Sequence, residues 1–244
     1  MLIRHIFRLV FHIILLAIAL VLYFIDSERL NYVYVFRQGL GGMFLWVVWL
    51  ALAIPMLFRI IPNRRIAMGA RKHFACSFDP VDTAAKSRVG ELRRLHKGAF
   101  LCGLSWFTIT AAVIFALHWL DMLTPAAILI IALAYAFVDL VFVLFFCPFR
   151  TLFMGNHCCA TCRIHNWDYF MKCAPLILSP NAYSISLVAL SAAVVLCWEI
   201  SLCRNPQFFM DQTNRNLHCG TCEDKLCGLR LKKSAQRAPD TDYR

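Results

Sequence analysis

Apolar residues in this chain are gathered into long runs, separated by short polar or basic connections. A run of about 20 mostly apolar residues is the length at which an α-helix, rising about 1.5 Å per residue, crosses a hydrocarbon core of about 30 Å. Five such runs fall at about 2–25, 43–61, 99–120, 126–147 and 182–203. A buried core helix of a soluble domain explains one run of this kind but not five. The pattern therefore predicts an all-α, polytopic integral membrane protein with about five transmembrane helices. A helical transmembrane domain over 1–203 would be followed by a cysteine-containing basic tail over 204–244, disordered from about 229.

Composition agrees with this reading. Sixty per cent of the 244 residues are hydrophobic and 16% charged, and the mean hydropathy is +0.63, too apolar for a soluble domain of this length. The formal charge of +11 does not point to nucleic acid, because the bases are concentrated in particular connections and lie on no aromatic-studded face. The link over 62–98 carries nine basic residues against three acidic ones. By the positive-inside rule that link is cytoplasmic, which also places the N-terminus, with Arg4 and Arg8, inside a cell membrane or inner membrane. Asp26, Ser27 and Glu28 follow the first run with no small-residue cleavage pattern, so it reads as an uncleaved helix and not a signal peptide. The lipid bilayer is the expected partner, with a membrane or redox protein as a further candidate.

Polar residues inside the runs are few. His12 stands near the middle of the first, where a lone histidine is ordinarily an interior packing residue. Asp139 lies among Phe137, Val138, Leu140 and Val141 in the fourth; a carboxylate there must be paired, protonated or wet, and is a functional candidate by default. The two sit about 15 and about 12 Å from the inner ends of their helices, so they are expected to approach each other. Pro55 interrupts the second run and is expected to kink it. In the basic link, Ala84 to Lys97 is compatible with an amphipathic helix whose apolar side, Val89, Leu92 and Leu95, would lie on an anionic leaflet.

Chemistry is concentrated in the cysteine-rich connection over 148–181. Within Asn156 to Cys173 fall Cys158, Cys159, Cys162 and Cys173, together with His157 and His165; Cys147 precedes the group. A second group, Cys219, Cys222 and Cys227, follows the last run. Cysteine pairs two residues apart converge on metals because a tight turn points both sulfurs inward. On a reducing face such thiols act as metal ligands or redox groups more readily than as structural disulfides. Cys158, Cys159, Cys162 and one of Cys147 or Cys173 are therefore read as a ligand set for an iron–sulfur cluster or zinc, serving electron transfer or redox sensing. Cys219, Cys222 and Cys227 form a second set or complete the first. A thiol–disulfide oxidoreductase, a soft-metal or small-solute transporter, and a structural subunit with zinc-braced loops are the alternatives.

Topology decides whether the two cysteine groups meet. Five full crossings put the tail outside, yet its eight basic residues against five acidic ones prefer the inside. Trp167 to Leu178, with Pro175, is the candidate for an extra segment that dips into the bilayer, where Asp168 and Lys172 require it to be re-entrant or buried in protein.

Overall fold

A computed structural model describes residues 2–32, 39–60, 78–81, 85–155, 159 and 162–218. Six α-helices follow in chain order: α1 Leu2–Asp26, α2 Leu40–Ile60, α3 Ala85–Trp119, α4 Pro125–Leu144, α5 Trp167–Cys173 and α6 Ala182–Arg204. There is no strand among the described residues; Pro80 and Asn214 make one isolated antiparallel bridge. All but α5 are long and apolar enough to cross a membrane. The protein is thus an all-α polytopic membrane protein. Its outward faces carry large apolar side chains such as Phe7, Ile14, Leu50, Phe107 and Leu196, all more than a third exposed, as a surface in lipid requires.

Helix α4 is the centre of the bundle. It is apolar all round, and half of its spanning window is buried, against 11% for α1 and α3 at the periphery. A helix with no polar face has no side to give to water, so it sits where neighbours cover it. Its start is set locally: the Thr124 hydroxyl accepts the Ala127 amide and Pro125 occupies the first helical turn, where its missing N–H costs nothing. Helix α6 begins with a capping box, the Asn181 side chain accepting the Tyr183 and Ser184 amides while Ser184 returns a contact to the Asn181 amide.

Between α4 and α6 the chain makes a broken passage. Seven residues of α-helix in α5 run on into a 3-10 turn, Ala174–Leu178, at Pro175. At about 1.5 and 2.0 Å per residue this covers about 20 Å. Its Trp167 end packs with Trp198 and Phe208. Its other end reaches Ser179 and Tyr183, where the Tyr183 ring stacks on Tyr32 at 5.4 Å and its hydroxyl donates to the Leu45 carbonyl near the start of α2. Non-helical backbone at membrane depth survives only when protein covers it, and Tyr169, Cys173, Pro175 and Leu176 are buried.

This passage settles the relative sides of the connections. Residues 206–218 pack onto 78–81: the Val81 amide donates to the Thr213 carbonyl, the Arg215 amide to the Asp79 carbonyl, and Phe78 lies 4.7 Å from Phe208. The first part of the tail therefore shares a face with the end of the 62–98 link. Helix α3 differs from its expected start at about 99. It begins at Ala85, so the amphipathic piece and the span are one helix. Leu92 and Leu95 cover Met154, Cys162 and Met210 and do not lie on a leaflet, because the protein's own tail and connection offer them a closer apolar surface. The rest of the basic link and everything from 219 onward, including the stretch expected to be disordered, lie outside the described residues.

Candidate functional site

The polar residues of the bundle interior converge on one cluster. Asp139 projects from α4, while Asp168 and Lys172, four residues apart, share a face of α5. The Lys172 ammonium donates to Asp139 Oδ2 at 2.9 Å and to Asp168 Oδ2 at 2.8 Å, with only 8% of its side chain exposed. It also stands 4.6 Å from the centre of the Tyr169 ring. Arg59, near the end of α2, lies 5.0 Å from the same ring and donates to the Asn166 side-chain oxygen. Two carboxylates and two cations compose a neutral group, the condition under which charges are tolerated away from water.

Two cavities meet at this cluster. The smaller, about 50 Å³, lies among α1, α2, α4 and α5, with His5, Arg8 and His12 on its α1 wall. Ala51 and Pro55 also line it; proline has no amide to serve the carbonyl four residues back, so the Ala51 carbonyl is released there. The larger, about 220 Å³, lies between α3, α4, α5 and the connection that follows α4. Asp139, Val143, His165, Asp168 and Lys172 line both. His12 and Asp139 thus border the smaller cavity together. The ion pair of Asp139, however, is with Lys172, and His12 Nδ1 is engaged by the Arg8 carbonyl of its own helix at 2.8 Å.

Four cysteines line the larger cavity: Cys102 from α3, then Cys147, Cys159 and Cys162. The Cys147 sulfur accepts the Arg150 amide at 3.4 Å. The Cys159 thiol donates to the Phe142 carbonyl at 3.8 Å. The contact with Cys159, helped by the Arg150 amide and opposed by burial, holds the Cys147 thiol below its ordinary pKa. Burial pushes Cys162 up to about 12. Cys173 is not part of this wall. It faces the apolar core beside Leu176 and Leu187.

Cys158, Cys219, Cys222, Cys227 and His157 lie outside the described residues. Among the described ones, no three histidine, cysteine or carboxylate side chains are grouped so as to hold a metal ion.

A second polar network holds the loop that carries Cys159 and Cys162. Arg163 makes a two-armed ion pair with Glu199 of α6, at 2.8 and 2.6 Å, and Glu199 also accepts the Trp167 indole N–H at 2.7 Å. The Trp198 indole donates to the Arg163 carbonyl at 2.6 Å. Two tryptophans and a guanidinium therefore fasten the loop to α6.

Sequence reasoning named Asp139 without its partner. The available signal was the Asp168 and Lys172 pair, four apart in an otherwise apolar segment, which can enter a bilayer only where protein covers it. Cys102 carried no signal: a cysteine inside an apolar run looks like any small core residue. Comparison with protein-family models, curated proteins and solved structures finds no match. The class defined by fold and site is a polytopic all-α membrane protein with a buried ion-pair cluster between two cavities.

Proposed function

We propose that this is a membrane redox protein that works through the Cys147 and Cys159 thiols. The observation that carries the reading is the placement of these two cysteines, twelve residues apart in sequence, on the wall of one apolar cavity. Two thiols that share a cavity wall, one of them inclined to the thiolate, are arranged for thiol–disulfide exchange. The Cys147 thiolate attacks a partner protein's disulfide. The partner's S–S bond breaks, a Cys147–Cys159 bond forms, and two thiols leave on the partner. In reverse, the Cys147–Cys159 disulfide oxidises a partner dithiol, so electrons and protons balance in either direction. The face bearing the basic link, the N-terminus and the start of the tail is cytoplasmic on this reading, by the excess of basic residues in that link.

Anaerobically purified protein treated with diamide tests the assignment. Peptide mapping is expected to find a Cys147–Cys159 linkage, and Cys147→Ser to lose it; a wild-type chain that forms no such linkage overturns the reading. A second reading, electron transfer or redox sensing at a bound zinc or iron–sulfur centre, is favoured by one observation. Cys147, Cys159 and Cys162 border the same cavity, and Cys158 adjoins Cys159. The tail up to His218 returns to the same face, and Cys219, Cys222 and Cys227 follow it in sequence. Elemental analysis of the same preparation decides it: Cys159→Ser with Cys162→Ser is expected to abolish bound metal, and unchanged metal content rules the centre out.

A further inference from the structure

We infer that the larger cavity binds a quinone-type acceptor dissolved in the bilayer, which oxidises the Cys147–Cys159 pair. The inference rests on the thiol–disulfide reading and names the acceptor that reading leaves open.

Size comes first. An apolar protein cavity of about 150 Å³ admits a benzene molecule, so about 220 Å³ admits one substituted ring, while pockets for drug-sized ligands begin at about 300 Å³. Shape is consistent with this, because Trp106, Tyr135, Phe142 and Phe149 line the space and aromatic walls favour a flat guest. Charge narrows the choice further. The lining holds Arg150 and Lys172 against Asp139 and Asp168, a balance that selects neither an anion nor a cation.

Access comes from the lipid. Ile109 lines the cavity and is also 54% exposed on the bilayer face of α3, so the space opens toward the hydrocarbon phase. A guest that arrives there is lipid-soluble.

The chemistry balances without a third reactant. Two S–H bonds break and the Cys147–Cys159 bond forms. The two electrons and two protons pass to the quinone, whose carbonyl oxygens become the hydroxyls of a hydroquinone. A lipid acyl chain also fits an apolar space but has no use for a thiol pair.

The test uses the full chain, reduced and placed anaerobically in lipid nanodiscs, with a short-chain ubiquinone as probe and diamide as a parallel water-soluble oxidant. Loss of quinone absorbance with one quinone consumed per Cys147–Cys159 disulfide is the expected result. Val138→Trp, or Ile109→Trp at the mouth if the first does not elute as a monodisperse species, is expected to slow the quinone reaction at least about tenfold by filling the space. Diamide forming the disulfide while quinone stays oxidised overturns the acceptor and leaves the redox reading standing. No Cys147–Cys159 linkage with either oxidant overturns the redox reading itself. A cavity-filled variant that reacts with quinone as fast as the wild type moves the acceptor elsewhere and also defeats the inference.

Discussion

Two ion-pair networks lie within one turn of each other on this chain, and they are built for different ends. Arg163 and Glu199 meet at an edge of the bundle: Glu199 is 29% exposed, the Arg163 carbonyl and the Glu199 carboxylate each accept a tryptophan N–H, and neither residue borders the two cavities. Lys172 with Asp139 and Asp168 is buried to a similar degree, but all three residues border both cavities. The first network is a fastener that could be replaced by apolar packing at little loss. The second places charge where a membrane protein ordinarily excludes it and surrounds that charge with open space. Packing alone gives no reason to retain such an arrangement.

The largest effect separating the two is expected at Lys172. Lys172→Met leaves two carboxylates facing each other without their cation, and the loss of one partner from a buried pair costs about 3 to 5 kcal/mol. Thermal unfolding in detergent measures it, and Asp139→Asn added to Lys172→Met is expected to recover part of the loss. Glu199→Gln keeps an acceptor for Trp167 but strands the Arg163 guanidinium; because Glu199 is partly exposed, about 2 kcal/mol is expected by the same assay. If Glu199→Gln proves the more damaging change, the contrast between fastener and cluster collapses.

Smaller effects sharpen the picture. Trp198→Phe removes one donor to the Arg163 carbonyl at a cost of about 1 kcal/mol, while the apolar ring contact with Phe209 is kept. The smallest expected effect is kinetic. Cys147 reacts as its thiolate, and the neighbouring Cys159 thiol is the foremost reason its pKa is lowered. Cys159→Ala removes that neighbour, so the pKa rises and the thiolate fraction at neutral pH falls. Alkylation of Cys147 then slows, and its rate profile moves to higher pH. Cys162, whose thiol burial raises, and Cys173, buried in the apolar core, are expected to stay unreactive throughout. An alkylation profile of Cys147 indifferent to Cys159 would separate the two sulfurs functionally.

The helices themselves were legible from residue order. In a bilayer the backbone can satisfy its hydrogen bonds only within each segment, so an apolar run of sufficient length has one outcome, and all five appear near their expected places. Thr124 with Pro125, and Asn181 with Ser184, mark helix starts through contacts a few residues long, which is why local order suffices to read them. Asp139 was legible as a singular residue for the same reason: the cost of a carboxylate in hydrocarbon does not depend on its neighbours.

Pairings across the bundle were not legible, because helical spacing tells which residues share a side of one helix and nothing about which helix that side meets. His12 and Asp139 were matched by depth alone. They do share a cavity, but a lysine brought in by the broken passage through α5 takes the carboxylate, since a full charge outcompetes an imidazole already engaged by its own helix. Cys173 is close to Cys159 and Cys162 in sequence, yet three turns of intervening chain rotate it into the apolar core, while Cys147, from the end of another helix, meets Cys159. The direction of the tail likewise depended on whether Trp167 to Leu178 traverses the bundle. Composition could only pose that question, and the answer came from the burial of Tyr169, Cys173 and Leu176 between α4 and α6, which lets non-helical backbone exist at that depth.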